Sequence, residues 1–188
     1  MFTLLNQNII NNSLLGSQKK FYINSNEVLL SDIIAKKNIG NDEFFLQYMR
    51  EKDLDAVLQI ESKSALSPWT EHQFRSEFTN TFSKLFIVSA SQHIVAFAIA
   101  WYAADEIQIA NLAIESDFRR IGIATFLLNT IFQRAIDNGF RSAHLEVRYS
   151  NIKAVSLYKN LGFQISGVRK KYYSSPTEDA YLMSALLA

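Results

Sequence analysis

A strand that runs into a tight turn and then into a helix constrains this chain more than any other stretch. Residues 110–126 read ANLAIESDFRRIGIATF, with the turn at RRIGIA, residues 119–124. The first N–H groups of a helix have no partner within it, and the helix dipole places partial positive charge there. Gly122 and Ala124 are small enough to let an anion approach the main chain, and Arg119 and Arg120 add positive charge at the rim. The stretch predicts a phosphate or diphosphate cradle. The alternative is that Gly122 and Ala124 only allow the helix to pack closely on the sheet.

Composition limits what else the chain can be. A length of 188 residues with 48% hydrophobic residues favours one domain with a proper core, and a net charge of +1 gives no electrostatic case for nucleic-acid binding. The absence of cysteine excludes a thiol nucleophile and fits a reducing compartment. No secretory or membrane-spanning run opens the chain, so we expect a cytoplasmic protein. We also expect a monomer. The three histidines lie far apart, at His72, His93 and His144, and no metal site is expected.

The hydrophobic pattern predicts a mixed α+β domain over residues 44–188, with about seven strands flanked by helices. A strand, a helix and another strand around the cradle give parallel neighbours, whereas the last two strands form an antiparallel hairpin. Gln92-His93 lacks the residues that two-residue hairpins prefer, so a slightly longer loop is expected there. The predicted strands cover residues 44–49, 85–91, 94–104, 107–114, 141–149, 163–173 and 180–187.

Residues 1–43 form an extension of unknown role. We expect a short strand at 21–23 and a short helix at 28–37 within it. Two hypotheses stay open for this extension, namely a packing appendage and a docking arm for a partner.

Two polar side chains after the cradle are candidates for chemistry. Alternation along residues 141–149 places Glu146 on one face of an inner strand, where a carboxylate is costly unless it is paired or useful. Asn151 caps the next helix, and Tyr158 lies two turns further along the same face. Tyr158 is either a core residue with its hydroxyl hydrogen-bonded or a phenol directed at the same cleft as Glu146. For Glu146 the alternative is an ion pair with a neighbouring cation.

A second corner carries an aromatic residue. Pro68 ends one helix, and Thr70 with Gln73 forms a capping box that begins the next. Trp69, between them, is either a plug between surface and core or the wall of a binding groove.

The motifs together resemble the GNAT family of N-acetyltransferases. The run from Arg119 to Ala124 is similar to that family's pyrophosphate loop, (Gln/Arg)-x-x-Gly-x-(Gly/Ala). The block LEVR at 145–148, followed by Ser150-Asn151, Leu157-Tyr158 and LGF at 161–163, resembles the branch that acetylates protein N-termini, and in particular the ribosomal-protein-alanine type. The likeness covers residues 44–187. It departs from the pattern after Tyr173, where the loop reads SSPT.

The resemblance implies a fold, a co-substrate and residue roles. It implies a mostly antiparallel twisted sheet with a V-shaped opening between the fourth and fifth predicted strands, where acetyl-CoA would bind without a metal. Glu146 would be the general base, directly or through a water molecule, and Tyr158 the general acid. Trp69 and Tyr173 would contact the acceptor. The residues implied to bind acetyl-CoA are Leu112, Ala113, Ile114, Arg119, Arg120, Ile121, Gly122, Ile123, Ala124, Thr125 and Asn151.

The expected reaction is acetyl transfer to the N-terminal α-amine of a protein, with a small-subunit ribosomal protein that begins with alanine as the leading acceptor. An α-amine has a pKa near ~7.7–8.0 and a lysine near ~10.4, so the lysine costs roughly 3 kcal/mol more to deprotonate. Two alternatives stay open: a GNAT enzyme that acetylates lysine or a small amine, and a non-catalytic module that binds acyl-CoA.

Overall fold

The computed structural model describes residues 20–21, 28–29 and 32–187. The chain divides into two units, residues 1–32 and 33–188. In the first unit, strand β1 (Lys20–Phe21) pairs antiparallel with β2 (Val28–Leu29). Of the strand expected at 21–23, residues 22 and 23 lie outside the described residues. None of the helices in the described part of the chain has the length and apolar character needed to cross a bilayer.

The second unit is built on one mixed, mostly antiparallel sheet of eight strands in the order β3-β4-β5-β6-β7-β8-β10-β9. This confirms the predicted fold class. Only β7 and β8 run parallel, and every other neighbouring pair is antiparallel. The strands are β3 (Ile33–Ile39), β4 (Asp42–Tyr48), β5 (Ser83–Ala90), β6 (His93–Ala103), β7 (Glu106–Ile114), β8 (Ser142–Arg148), β9 (Gln164–Ser174) and β10 (Thr177–Leu186).

Four α-helices connect these strands: α1 (Leu54–Ser64), α2 (Glu71–Thr79), α3 (Ile123–Asp137) and α4 (Ile152–Asn160). The predicted capping box begins α2, because the Thr70 side chain accepts from the Gln73 N–H while the Gln73 side chain accepts from the Thr70 N–H. One face of α3 is buried, at Leu127, Leu128, Ile131 and Ala135. These residues pack against the sheet in one hydrophobic core cluster. Helices α1 and α2 pack against β5, β6 and β7 in a second cluster.

The helix expected at residues 28–37 is wrong, because residues 28–29 lie in β2 and residues 33–37 lie in β3. Strand β3 adds the eighth strand by pairing antiparallel with β4, from Ile33 opposite Gln47 to Ile39 opposite Asp42. The connection is a two-residue turn, Gly40-Asn41, in which Gly40 has a φ of +61°. A glycine adopts this conformation without steric cost, so the turn allows a tight hairpin.

The longer loop expected between β5 and β6 is also wrong. Ala90 pairs with His93, and the two residues between them, Ser91 and Gln92, have φ values of 45° and 73°. Positive φ at both positions matches the twist of the flanking strands. The pairing of the two strands therefore imposes a turn that neither residue favours.

The sheet opens between β7 and β8. Their parallel pairing runs from Glu106 opposite Ser142 to Ile109 opposite Leu145 and stops there. The register of β7 with β6 shifts at the same place, between the pairs Ala100–Ile109 and Ile99–Asn111. A bulge bends its strand and ends regular pairing. The V-shaped opening that the family resemblance implied is therefore present, and it separates residues 110–114 from the end of β8.

Candidate active site

The turn before α3 has the geometry of an anion cradle. Gly122 is the N-cap of the helix with a φ of +93°, and Arg120 has a φ of +68°. The first helical hydrogen bond runs from the Phe126 N–H to the Gly122 carbonyl at 3.0 Å, so the N–H groups of residues 123–125 have no acceptor within the helix. A Cβ built on Gly122 would meet no backbone atom within 4 Å, which leaves the main chain open to a ligand.

The Arg119 side chain ties this turn to its neighbours. Its Nε donates to the Ile114 carbonyl at 2.8 Å, and its Nη2 donates to the Ser64 hydroxyl at 2.9 Å. Arg119 therefore holds the end of β7 against the end of α1 while it keeps positive charge beside the cradle. Arg120 is exposed and also lines the cleft.

The part of β7 beyond the opening pairs on one side only. Leu112, Ala113 and Ile114 pair with β6, whereas their other edge faces the cleft. An unpaired strand edge offers N–H and C=O groups to an extended ligand, which is the arrangement expected for binding a pantetheine arm.

Glu146 lies just past the last β7–β8 pair, and 15% of its side chain is exposed. Its Oε2 accepts from Gln108 Nε2 at 2.8 Å, and its Oε1 lies 3.3 Å from Arg169 Nη1. The ion pair that was the alternative interpretation is therefore present. It does not exclude a functional role, because Glu146 also lines the cleft.

Tyr158 is buried in α4 and lines the same cleft. Burial, and to a smaller degree the nearby Tyr173, raises the pKa of its phenol, which is protonated at neutral pH even at its ordinary pKa. Asn151 caps α4 by accepting from the Ala154 N–H at 3.2 Å. Its side-chain carbonyl is therefore engaged in the cap, while the residue still lines the cleft.

One part of the cleft lining comes from the connection between α1 and α2. The Trp69 ring packs against Phe74, with 5.6 Å between the ring centroids, as expected of a plug between surface and core. Trp69 also lines the cleft, as expected of the wall of a binding groove. Glu61, which is 2% exposed, accepts from the Trp69 N–H at 2.9 Å and from Asn111 Nδ2 at 3.3 Å. Burial raises the pKa of the Glu61 carboxyl, although both hydrogen bonds lower it. Its Oε2 is buried and has no hydrogen-bond partner among the described residues.

Arg148 joins three segments around the cleft. Its guanidinium lies 4.0 Å from the ring centroid of Tyr173 and 3.1 Å from the carboxylate of Glu178. It also donates to the Ser67 hydroxyl at 3.1 Å and to the carbonyls of Ser175 and Pro176 at 3.1 and 3.2 Å. The Ser67 hydroxyl in turn donates to the Ser175 carbonyl. Through these contacts Arg148 and Ser67 fix the SSPT loop against the α1–α2 connection. Burial raises the pKa of the Tyr173 phenol to about 12.

These elements enclose one cleft of about 800 Å³. The cleft is lined by the candidate catalytic residues Glu146 and Tyr158 and by the candidate acceptor contacts Trp69 and Tyr173. All but one of the residues implied to bind acetyl-CoA line it as well. The exception is Ile121, whose side chain is exposed on the turn. Glu61, Asn111 and Arg148 also line the cleft, although the sequence patterns did not predict them as site residues. For Glu61 a signal existed, because it follows the buried helical period of Leu54 and Val57.

Comparison with known proteins decides the family. The model of the acetyltransferase (GNAT) family matches residues 54–163, which is more than half of the chain. The chain belongs to the GNAT family of acetyltransferases. Within it, the chain is 34% identical over 134 residues to the ribosomal protein bS18-alanine N-acetyltransferase of Salmonella typhimurium, and 33% identical over 134 residues to that of Escherichia coli. Each alignment covers 70% of this chain and 90% of the relative.

A solved structure agrees with these relatives. The crystal structure of the ribosomal-protein-S18-alanine N-acetyltransferase from Escherichia coli superposes with a TM-score of 0.72 at 30% identity, covering 77% of this chain and 94% of the other. This GNAT protein is an N-acetyltransferase that uses acetyl-CoA. The open turn at Gly122 and the unpaired edge of β7 fit that co-substrate.

Proposed function

We propose that this GNAT enzyme transfers the acetyl group of acetyl-CoA to the N-terminal α-amine of a protein, and that ribosomal protein bS18, beginning with alanine, is the leading acceptor. One observation carries the reaction: a single cleft joins the anion cradle before α3 to Glu146 and Tyr158. The choice of acceptor is supported by the bS18-alanine N-acetyltransferases of two bacteria, which match over nine-tenths of their length. A ribosomal acceptor would also place the enzyme in the cytoplasm.

The co-substrate is held by main-chain groups and positive charge. The N–H groups of residues 123–125, with Arg120 beside them, would hold the diphosphate, and the free edge of residues 112–114 would pair with the pantetheine arm. Asn151 would contact the coenzyme near the thioester. When bound, acetyl-CoA supplies an acetyl group already activated for attack by an amine.

The proton transfers fall to two side chains. Glu146 would accept the proton that the α-ammonium must lose, directly or through a water molecule. Tyr158, whose phenol is protonated at neutral pH, would donate its proton to the departing sulfur as the new C–N bond replaces the C–S bond. No covalent enzyme intermediate is required, which agrees with a chain that has no cysteine.

The acceptor would enter between the α1–α2 connection and the β9–β10 turn. Trp69 and Tyr173 line the cleft, and so does Leu66, which is 68% exposed. Since Arg148 holds the two segments together, it would fix the width of this entrance.

The test is release of coenzyme A thiol with a panel of acceptors. The panel contains peptides beginning with Ala, Ser, Met and Gly, a peptide with a blocked N-terminus and an internal lysine, and a free polyamine. We expect the highest kcat/KM for the Ala peptide and no release with the blocked peptide. A preference for the blocked peptide or the polyamine would overturn the acceptor class. Release with none of the acceptors would overturn catalysis and favour a module that only binds acyl-CoA.

A further inference from the structure

Strand β3 brings a lysine to the anion cradle from outside the segment that the family model matches. The Lys37 ammonium lies 3.9 Å from the position that a Cβ on Gly122 would occupy. It also lies 6.0 Å from the ring centroid of Phe126, in the first turn of α3. The family match covers residues 54–163, so β3 (Ile33–Ile39) lies outside the matched segment.

The positive charge of Lys37 is unfavourable beside the N-terminus of α3 unless an anion is also present. The N-terminus of α3 carries partial positive charge, which anions stabilise and cations do not. Among residues 32–187, Lys37 makes no ion pair that would offset this, whereas its neighbour Lys36 lies 3.0 Å from the carboxylate of Glu43. The positive end of a helix and an ammonium side by side favour an anion between them.

We propose that Lys37 contacts a phosphate of coenzyme A. This inference rests on the proposed binding of the coenzyme at residues 119–125, to which β3 adds a full positive charge. Lys37 does not line the cleft itself. Its ammonium lies beside Gly122. The diphosphate and the 3′-phosphate of coenzyme A both carry anionic oxygens that an ammonium on a flexible stem of four methylene groups can bind.

A structural role for Lys37 makes different predictions. If its methylene stem only covers Phe126, replacing the ammonium by an apolar end would leave coenzyme binding unchanged. If the ammonium binds phosphate, the same replacement weakens binding and relieves repulsion at the empty helix terminus. The thermal midpoint without ligand would then stay the same or rise, and its increase on adding coenzyme A would become smaller.

The experiment measures the dissociation constants of coenzyme A and dephospho-coenzyme A by isothermal titration calorimetry at low and high salt. The variants are Lys37→Met, Lys37→Arg and the matched control Lys36→Met, which removes the same charge from the adjacent position of β3. For Lys37→Met we expect binding about threefold to tenfold weaker at low salt, and a smaller loss at high salt. Lys37→Arg and Lys36→Met should bind nearly as tightly as the unmodified protein.

The two ligands identify the phosphate. Equal losses for both ligands support contact with the diphosphate, and a loss confined to coenzyme A supports contact with the 3′-phosphate. Unchanged affinity of Lys37→Met for both ligands, or an equal loss in Lys36→Met, would overturn the role of Lys37. Failure of the unmodified protein to bind coenzyme A would instead overturn the proposed binding site.

Discussion

Replacing Glu146 by glutamine separates a catalytic carboxylate from a structural one. The ion pair with Arg169 joins a mostly buried carboxylate to a guanidinium that is 53% exposed. Pairs with an exposed partner contribute about 0.2–1 kcal/mol, and glutamine keeps an oxygen that accepts from Gln108 or Arg169. We therefore expect Glu146→Gln to lower the free energy of unfolding by less than about 1 kcal/mol.

The expected effect on turnover is much larger. A positioned general base contributes about 10²- to 10⁴-fold, which corresponds to roughly 2.7–5.5 kcal/mol in the activation barrier. The assay is thiol release at saturating acetyl-CoA with an Ala-starting peptide, together with urea unfolding and the dissociation constant of acetyl-CoA. Turnover should fall at least 100-fold in this range while the dissociation constant changes little.

Arg169→Met is the matched control, because it breaks the same ion pair and leaves the carboxylate in place. We expect it to lose a similar, small amount of stability and to keep turnover within a few-fold of the unmodified enzyme. If Arg169→Met loses as much turnover as Glu146→Gln, the ion pair matters and the assignment of Glu146 as the base is refuted. Glu146→Gln with more than about a tenth of the turnover would refute it as well.

The remaining predictions concern the acid and the two buried charges. Tyr158→Phe should reduce kcat at least tenfold, without weakening acetyl-CoA binding measured by calorimetry, because the substitution removes only the hydroxyl group that carries the transferred proton. Arg148→Lys keeps the charge but loses the planar fork, so it should raise KM for the peptide severalfold while KM for acetyl-CoA stays constant. Glu61→Gln removes a carboxyl whose pKa burial raises. In the folded state this carboxyl stays protonated to a higher pH, so the stability of the unmodified protein relative to Glu61→Gln should decrease as pH rises above the ordinary Glu value of 4.5, in urea unfolding measured from pH 4 to 7.

Each of these predictions has an outcome that contradicts it. Tyr158→Phe with normal kcat would make Tyr158 a core residue only. If Arg148→Lys raised both KM values equally, the effect would lie in the whole fold rather than in the acceptor entrance. A stability difference between Glu61→Gln and the unmodified protein that stayed constant from pH 4 to 7 would show that the Glu61 pKa is not raised.

Local signals predicted much of the site. The turn before α3 was predictable because Gly122 and the following helix mark it within a few residues, and the Asn151 cap and the alternation around Glu146 are equally local. The hairpin of β3 and β4 had a local signal too, in Gly40-Asn41, but the apolar residues before it also fit a helical period. The tight turn at Ser91-Gln92 had no such signal, because the pairing of β5 with β6 imposes it.

The contacts of Glu61 and Arg148 could not be predicted from local sequence patterns. Glu61 meets Asn111 across 50 positions, and Arg148 meets Ser67 across 81. No spacing rule connects residues so distant in sequence, since only the folded sheet brings them together. The opening between β7 and β8 came from the family resemblance alone, because the point where a strand pair separates depends on the bulge in β7 and on the register of three strands.

The central claim is that the enzyme acetylates an α-amine. The most direct test is tandem mass spectrometry of one peptide that begins with alanine and contains an internal lysine, after incubation with acetyl-CoA, so that both amines compete in the same molecule. We expect one acetyl group, located on the N-terminal alanine, with at least 100-fold slower formation by Glu146→Gln. An acetyl group on the lysine with a free N-terminus would contradict it.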